Sequence, residues 1–418
     1  MTDVEINSEM DFPIIRTCPF QPPTEYAEIR AKRSPVRAKL YNGNLIWVIT
    51  DYEDARAVLL DNKNFSSDIT NPAYPLYTAI MEGTRSFPTL PTMDAPQHTA
   101  FRKMLISEFS VRRANELRPA IQKHADALID AMLEGERPAD LGAAFATPLI
   151  ERVTCELLGM SSADMQASAA QTVGAMMQQQ MAAAQESGVA PDPIAMATAA
   201  VGFQFVAMHQ YFAQVVAEKA EKPGDDMISR LVAKFVEPGE LTQEQLANLA
   251  FVVFVAGVAP TTSMINIGTA TLLDNPEQLA ILRSGPDAVP GAVEELLRYL
   301  SVLDLLPRVA AADVEIGGTL IRKGEGIIVP NAAANRDERV FTDPEVLDVS
   351  RPSARQHLAF GHGVHQCLGM NVARVQLEIA FETLFRRIPD LRLAVPMDEL
   401  RPAMPSPLPE LSQLLVTW

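Results

Sequence analysis

Cysteine is scarce in this chain, with three residues in 418: Cys18, Cys155 and Cys367. Thiols so few and so far apart build no disulfide framework. Basic charge is scarce too. Lys and Arg number 35 against 52 Asp and Glu, a formal net charge of −17. A surface of that sign is a poor general partner for nucleic acid. The first residues carry Asp3, Glu5, Glu9 and Asp11, with no basic n-region and no long apolar run, so they do not read as a secretory signal. The greasiest stretch, residues 249–260, reads as too short to span a bilayer. Repeats and long blocks of one charge are lacking. These absences point to a soluble, cytoplasmic protein with no membrane or nucleic-acid partner. Its residues are 48% hydrophobic, enough for a large core.

The chain opens with β-rich runs in 36–50 around Asn42-Gly43, a dipeptide suited to a hairpin turn. Asp51 then caps a helix toward Leu60. A Pro-rich, partly apolar loop occupies about 65–95. From about 96 apolar residues recur three and four apart, the helical period. Within that stretch, residues 176–196 are rich in Met, Gln and Ala. They read either as a low-complexity linker or as two helices joined by a mobile turn at 187–193, a lid of adaptable methionines over a variable ligand. Thr242 with Gln245 forms a capping box, opening a long helix that Asn275-Pro276 stops after Asp274. Residues 249–256 are apolar all round, which predicts burial on every face. A helix follows at about 287–300, a hairpin at 313–329 turning at Gly317-Gly318, and a last helix at about 366–388. The order predicts a mainly α fold with minor β-sheets. Its β-rich parts lie at about 36–65 and 310–330, its helical parts at about 96–300 and 366–388, in one domain over 1–418.

The sharpest chemical signal is FGHGVHQCLG, residues 360–369. Gly361 and Gly363 let the backbone turn tightly or approach a flat object. Cys367 stands at the start of a strong helix, where free N–H groups and the dipole favour a thiolate. Gly369 removes a side chain where a ring could lie against that helix. His362, His365 and Cys367 could instead bind zinc, but a fourth ligand has to come from His98, His209 or His357, with no paired cysteine nearby. A purely structural cysteine at a helix start is the other reading.

The stretch resembles the haem-binding signature of cytochrome P450 enzymes, Phe-Gly-x-Gly-x-His-x-Cys-x-Gly, with every defined position filled. The resemblance implies the P450 fold, with a long central helix over haem b (iron protoporphyrin IX). It makes Cys367 the axial thiolate and metal ligand, which favours O–O cleavage. It sets Phe360 beside the sulfur and His365 near a propionate. His98 and Arg102 of DAPQHTAFR, and Arg308 of LPRVA, fall where the family binds the propionates. Glu295 and Arg298 of EELLR match the buried Glu-x-x-Arg pair, with Arg351 as its third member.

The family's long helix carries Ala-Gly-x-Asp/Glu-Thr at the iron, the acid and the hydroxyl routing protons to oxygen. Aligned on Ala256-Gly257, this chain has Ala259 for the acid and Pro260 for the threonine. Thr261 is one residue on, about 100° round the helix, so it should not point where the lost hydroxyl would. A proline here costs about 3 kcal/mol in a regular helix, but the family's helix is already distorted at this point. The freed Ala256 carbonyl could hold a water or a substrate hydroxyl.

Three functional readings follow. The first is a monooxygenase using O2 and two electrons, its protons coming from substrate or ordered water. The second is a peroxide-driven or non-hydroxylating enzyme for ring closure, coupling or nitric oxide reduction; several stretches resemble the fungal nitric oxide reductase branch. The third is a haem-based sensor. The resemblance puts substrate against the 65–95 loop with Phe87, the 176–208 segment, the long helix, and Val302, Leu303, Asp304 and Leu305. Asp304 reads as a solvated or hydrogen-bonded carboxylate, or as an anchor for a cationic or hydroxylated ligand. The otherwise apolar lining suits a small terpenoid, polyketide or aromatic molecule from secondary metabolism. Electrons come from an external ferredoxin and its NAD(P)H-dependent reductase, docking near Arg355, Arg374, Arg112 and Arg113.

Overall fold

The computed structural model describes residues 10–187, 193–402 and 409–418. Asp3, Glu5 and Glu9 lie outside the described residues, as do residues 188–192 of the turn expected at 187–193. The chain forms two compact units, one of residues 1–149 with 259–418, the other of residues 150–258.

The first unit holds a six-stranded sheet in the order Met10–Asp11, Val36–Lys39, Leu45–Val48, Gly326–Pro330, Leu305–Ala310, Phe65–Ser66. Val36 pairs with Val48 and Lys39 with Leu45. Gly43 turns that hairpin at φ +84°, a backbone conformation glycine adopts without strain. Asp51 caps the next helix, Tyr52–Leu60, by accepting from the N–H groups of Glu53 and Asp54. The hairpin expected over 313–329 is shorter than that. Val314–Ile316 and Thr319–Ile321 pair alone, while Gly326–Pro330 joins the main sheet between Leu45–Val48 and Leu305–Ala310. All five of its residues are buried, and an apolar strand gains more in the middle of a sheet than on an exposed ribbon. Helices Val289–Leu300 and Arg118–Glu134 pack against the last helix, Met370–Arg387.

The second unit is helical. Ser162–Ser187 packs on Pro193–Glu221. Phe212, fully buried, meets Phe251 and Phe254 of the long helix at 6.0 and 5.9 Å between ring centroids.

The long helix is Gln243–Asp274, and the Thr242–Gln245 capping box closes its start at 2.9 and 3.1 Å. Two expectations about it need correction. Residues 249–256 are not buried on every face: Leu249, Ala250 and Phe254 are buried, but Ala256 is exposed and residues 257–260 are half-buried. The helix as a whole, with 32 residues, is also long and apolar enough to cross a bilayer. Each half is packed into protein, the first on Phe212, the second at Gly268, where an added Cβ would fall 2.7 Å from the Phe381 ring. Its apolar composition therefore serves packing plus a stripe of accessible apolar surface around Ala256.

Candidate active site

The cysteine loop is tied down by its own backbone. The Cys367 N–H donates to the Phe360 carbonyl at 2.7 Å, and the Leu358 N–H to Asn335 Oδ1 at 2.7 Å. Gly361 and Gly363 take φ +68° and +72°, and a Cβ on Gly363 would fall 2.5 Å from the Leu59 carbonyl oxygen. The space beside Gly369 differs: a Cβ there would meet nothing within 4 Å. The helix starts at Met370, and the N–H groups of Gly369 and Met370 point at the Cys367 sulfur. The residue is accessible, yet burial dominates its electrostatics and pushes the thiol up, against those N–H groups, Arg102 and Arg374. The helix-start N–H groups act in the thiolate's favour, as expected, and desolvation acts against them.

A cluster of basic side chains adjoins this loop. The rings of His98 and His365 stack with centroids 4.0 Å apart. His98 Nε2 and His365 Nδ1 are buried with no hydrogen-bond partner among the described residues. Arg102 donates to the Gln366 carbonyl at 2.6 Å, Arg308 to the Pro307 carbonyl at 2.7 Å. Neither guanidinium has a carboxylate partner among the described residues. Burial, then Arg308, His98 and Arg102, hold His365 down to about 3, and burial lowers Arg308. Buried cations without counter-charge are costly. Two arginines without a salt bridge and two unpartnered ring nitrogens beside one loop are a set that carboxylates of a bound group would satisfy.

Behind the loop lies an ionic triad. Glu295 and Arg298 are both fully buried and paired through two bonds, 2.7 and 2.8 Å. Arg351 Nε reaches the same carboxylate at 3.1 and 3.2 Å. The spare donors end on carbonyls: Arg298 on Asn335 and Pro344, Arg351 on Thr342, Asp343 and Val346.

At the unusual proline the helix continues without a break. Thr261 is buried, unlike half-buried Ala259 and Pro260, as a 100° rotation requires. Thr262 Oγ1 is buried without a partner among the described residues.

Three residues expected at the pocket, Val302, Asp304 and Leu305, lie in the core instead. Asp304 is 3% exposed. It accepts from the Ala332 N–H at 2.7 Å and the Tyr26 hydroxyl at 3.2 Å, and it faces Arg16 at 3.6 Å. A carboxylate so enclosed is no substrate anchor. Asp304→Asn is therefore expected to leave the spectral affinity for an amine unchanged. It should lower stability by about 3 kcal/mol, the cost of leaving Arg16 buried without its charge, which a denaturant titration checks. Leu305 packs with Tyr26, Ile328 and Ala332. Val302 is buried, while Leu303 and Phe87 keep 49% and 70% of their surface. Of the cations expected to dock a ferredoxin, Arg374 is bound to Glu294 at 2.6 Å and Arg113 to Glu116 at 2.8 Å. Arg355 and Arg112 are the exposed ones.

The cytochrome P450 family model matches residues 21–399. The chain belongs to the cytochrome P450 family. It is 40% identical over 414 residues to pentalenic acid synthase of Streptomyces avermitilis, covering 99% of this chain and 98% of that one. The crystal structure of GfsF superposes with a TM-score of 0.87 at 38% identity, covering 98% of this chain and all of the other. That of mycinamicin VIII C21 methyl hydroxylase from Micromonospora griseorubida, bound to mycinamicin VIII, gives 0.86 at 34% identity, with coverage of 98% and 100%. This cytochrome P450 is an oxidoreductase of the monooxygenase type with haem b as its cofactor, related to hydroxylases of secondary metabolism. The reading as a non-catalytic sensor falls with that finding. Such enzymes use small-molecule substrates, O2 and redox partners. Sequence reading passed over Glu294, whose only signal was the doubled acid in EELLR.

Proposed function

We propose that Cys367 is the axial ligand of haem b and that His98, Arg102, Arg308 and His365 hold its propionates. One observation carries this: an accessible sulfur receiving two backbone N–H groups, beside Arg102 and Arg308, which have no salt bridge among the described residues, and beside the unpartnered ring nitrogens of His98 and His365. Phe360 packs against the sulfur side, Gly361 shapes the loop, and Gly369 leaves room for a flat ring. Haem b, when bound, supplies an iron at which O2 is activated with two electrons and two protons. The chain's own part is to bind substrate along the accessible apolar stripe of the long helix and to exclude bulk water there. Ala256, Gly257, Ala259 and Pro260 offer neither acid nor hydroxyl. The Ala256 carbonyl, which Pro260 cannot pair, accepts a hydrogen bond from a water or a substrate hydroxyl, and this ordered group relays protons, giving one up as it takes another from solvent. Thr261, being buried, does not replace the lost threonine.

The substrate is a small apolar or aromatic, natural-product-like molecule. Support comes from that stripe and from relatives named for pentalenic acid synthesis and mycinamicin hydroxylation. Electrons come from an external ferredoxin and its NAD(P)H-dependent reductase, in the cytoplasm. The Ala259-Pro260 pair keeps a second reading open, that of a peroxide-driven or non-hydroxylating enzyme for ring closure, coupling or nitric oxide reduction. Turnover with ferredoxin, reductase and NAD(P)H supports the first reading. Product from peroxide alone, or NADH consumed with loss of nitric oxide, supports the second.

Pro260→Thr separates the two as well. The substitution restores a hydroxyl and a backbone N–H, and on the first reading product formed per NAD(P)H consumed rises several-fold. A fall in product on the same substrate would make the proline part of a different mechanism.

A further inference from the structure

Glu294 is 2% exposed, and none of the roles above uses it. Its Oε2 lies 3.0 Å from His357 Nε2, and Arg374 reaches Oε1 at 2.6 Å and Oε2 at 3.2 Å. Arg355, mostly exposed, stands at 3.8 Å. The His357 tautomer follows from its other nitrogen. Nδ1 accepts the Ala359 N–H at 3.2 Å, so the neutral ring carries its proton on Nε2 and donates it to Glu294. Burial alone would raise the Glu294 carboxyl, but His357 and Arg374 bring it down to about 2. Its two partners thus favour the carboxylate form.

The two partners converge on one ring. The Arg374 guanidinium carbon is 4.8 Å from the Phe360 ring centre, and the His357 and Phe360 rings are 5.6 Å apart. The Phe360 carbonyl in turn accepts the Cys367 N–H. Glu294 thus holds two groups against Phe360, and Phe360 ties the cysteine.

We propose that Glu294 is a positioning residue for Cys367, fixing Arg374 and His357 against Phe360 and offsetting the arginine's charge close to the sulfur. The inference rests on the assignment of Cys367 as haem ligand. A half-buried guanidinium bonded to a buried carboxylate presents little net charge. Remove the negative partner and its field reaches the ligand with little screening. Reduction adds an electron at the iron, so an uncovered cation favours the reduced state and an uncovered anion disfavours it.

The test is the one-electron reduction potential of the holoprotein, by dye-coupled titration. Glu294→Gln is expected to raise the reduction equilibrium constant about tenfold, about 59 mV for one electron. Arg374→Gln should lower it by a similar factor, and Glu294→Asp should stay close to the parent. The thiolate-type carbon monoxide band is expected in all three. A role in folding alone would move both potentials the same way or not at all, and either result overturns the proposal. Should Glu294→Gln fail to take up haem, Arg374→Gln decides, since an unchanged or raised potential there refutes it. A parent protein lacking the thiolate band would refute the Cys367 assignment itself, a different failure.

Discussion

Cys367→Ser abolishes the thiolate-type carbon monoxide spectrum of the reduced protein, the largest effect expected of any single substitution here. One atom changes, and most of the site survives it. The loop is held by the Cys367 N–H on the Phe360 carbonyl and by the Leu358 N–H on Asn335, neither of which uses the sulfur. The basic cluster of His98, Arg102, Arg308 and His365 is untouched, so some haem uptake persists. What disappears is a soft anionic donor. A serine hydroxyl at neutral pH is uncharged and a poor match for that metal role. In the parent, burial opposes the thiolate while the two N–H groups and the nearby cations favour it, and metal coordination would add to them. Serine offers no anion for the metal to stabilise at this pH. Absorbance of the dithionite-reduced, carbon monoxide-treated protein checks this, with haem content as control. A variant that kept the thiolate band at parental intensity would show that another group ligates the iron.

The sequence was most informative where the chemistry is local. The cysteine loop is one run of ten residues, its glycines sit at positive φ as their spacing requires, and the Thr242–Gln245 cap is a four-residue motif. Asp304 shows the opposite case. Its fate was set by Arg16 and Tyr26, more than 270 positions away, and no local pattern distinguishes a carboxylate awaiting a ligand from one already enclosed. Glu294 failed to stand out for the same reason: its partners His357 and Arg374 are 63 and 80 positions on. The long helix misled through composition. Apolar residues all round look the same whether a helix is enclosed by protein or keeps one stripe accessible, and only the exposed Ala256 separates the two. The strand Gly326–Pro330 was assigned to the wrong partner because a glycine turn nearby offered a plausible local hairpin, whereas burial of all five residues favoured the sheet centre.

Glu295→Gln is expected to destabilise the fold by about 4 kcal/mol, within the range seen when one member of a buried ion pair is removed. A typical domain has only about 5–15 kcal/mol in total. In the parent one carboxylate serves two guanidinium groups, Arg298 and Arg351, so the triad already carries a net positive charge. Backbone carbonyls of Asn335, Pro344, Thr342, Asp343 and Val346 absorb the remaining donors. Those carbonyls belong to the segment joining the sheet to the cysteine loop, so the triad fixes the path of the chain into residues 360–369. Glutamine keeps the shape and one acceptor oxygen but leaves two buried cations without an anion, and its amide points donors at donors. The Asp348 N–H, 3.0 Å from the Glu295 carboxylate, competes for the same oxygen. An exposed pair gives the contrast. Arg56 and Glu53 stand 3.6 Å apart with most of the glutamate in solvent, and Glu53→Gln should cost less than about 1 kcal/mol. Denaturant midpoints of the two variants against the parent measure the difference, and haem retention should fall only in the first. Equal midpoints for Glu295→Gln and the parent would mean that the triad contributes no more than a surface pair. The path of the cysteine loop would then have to be held by the Asn335 and Phe360 hydrogen bonds alone.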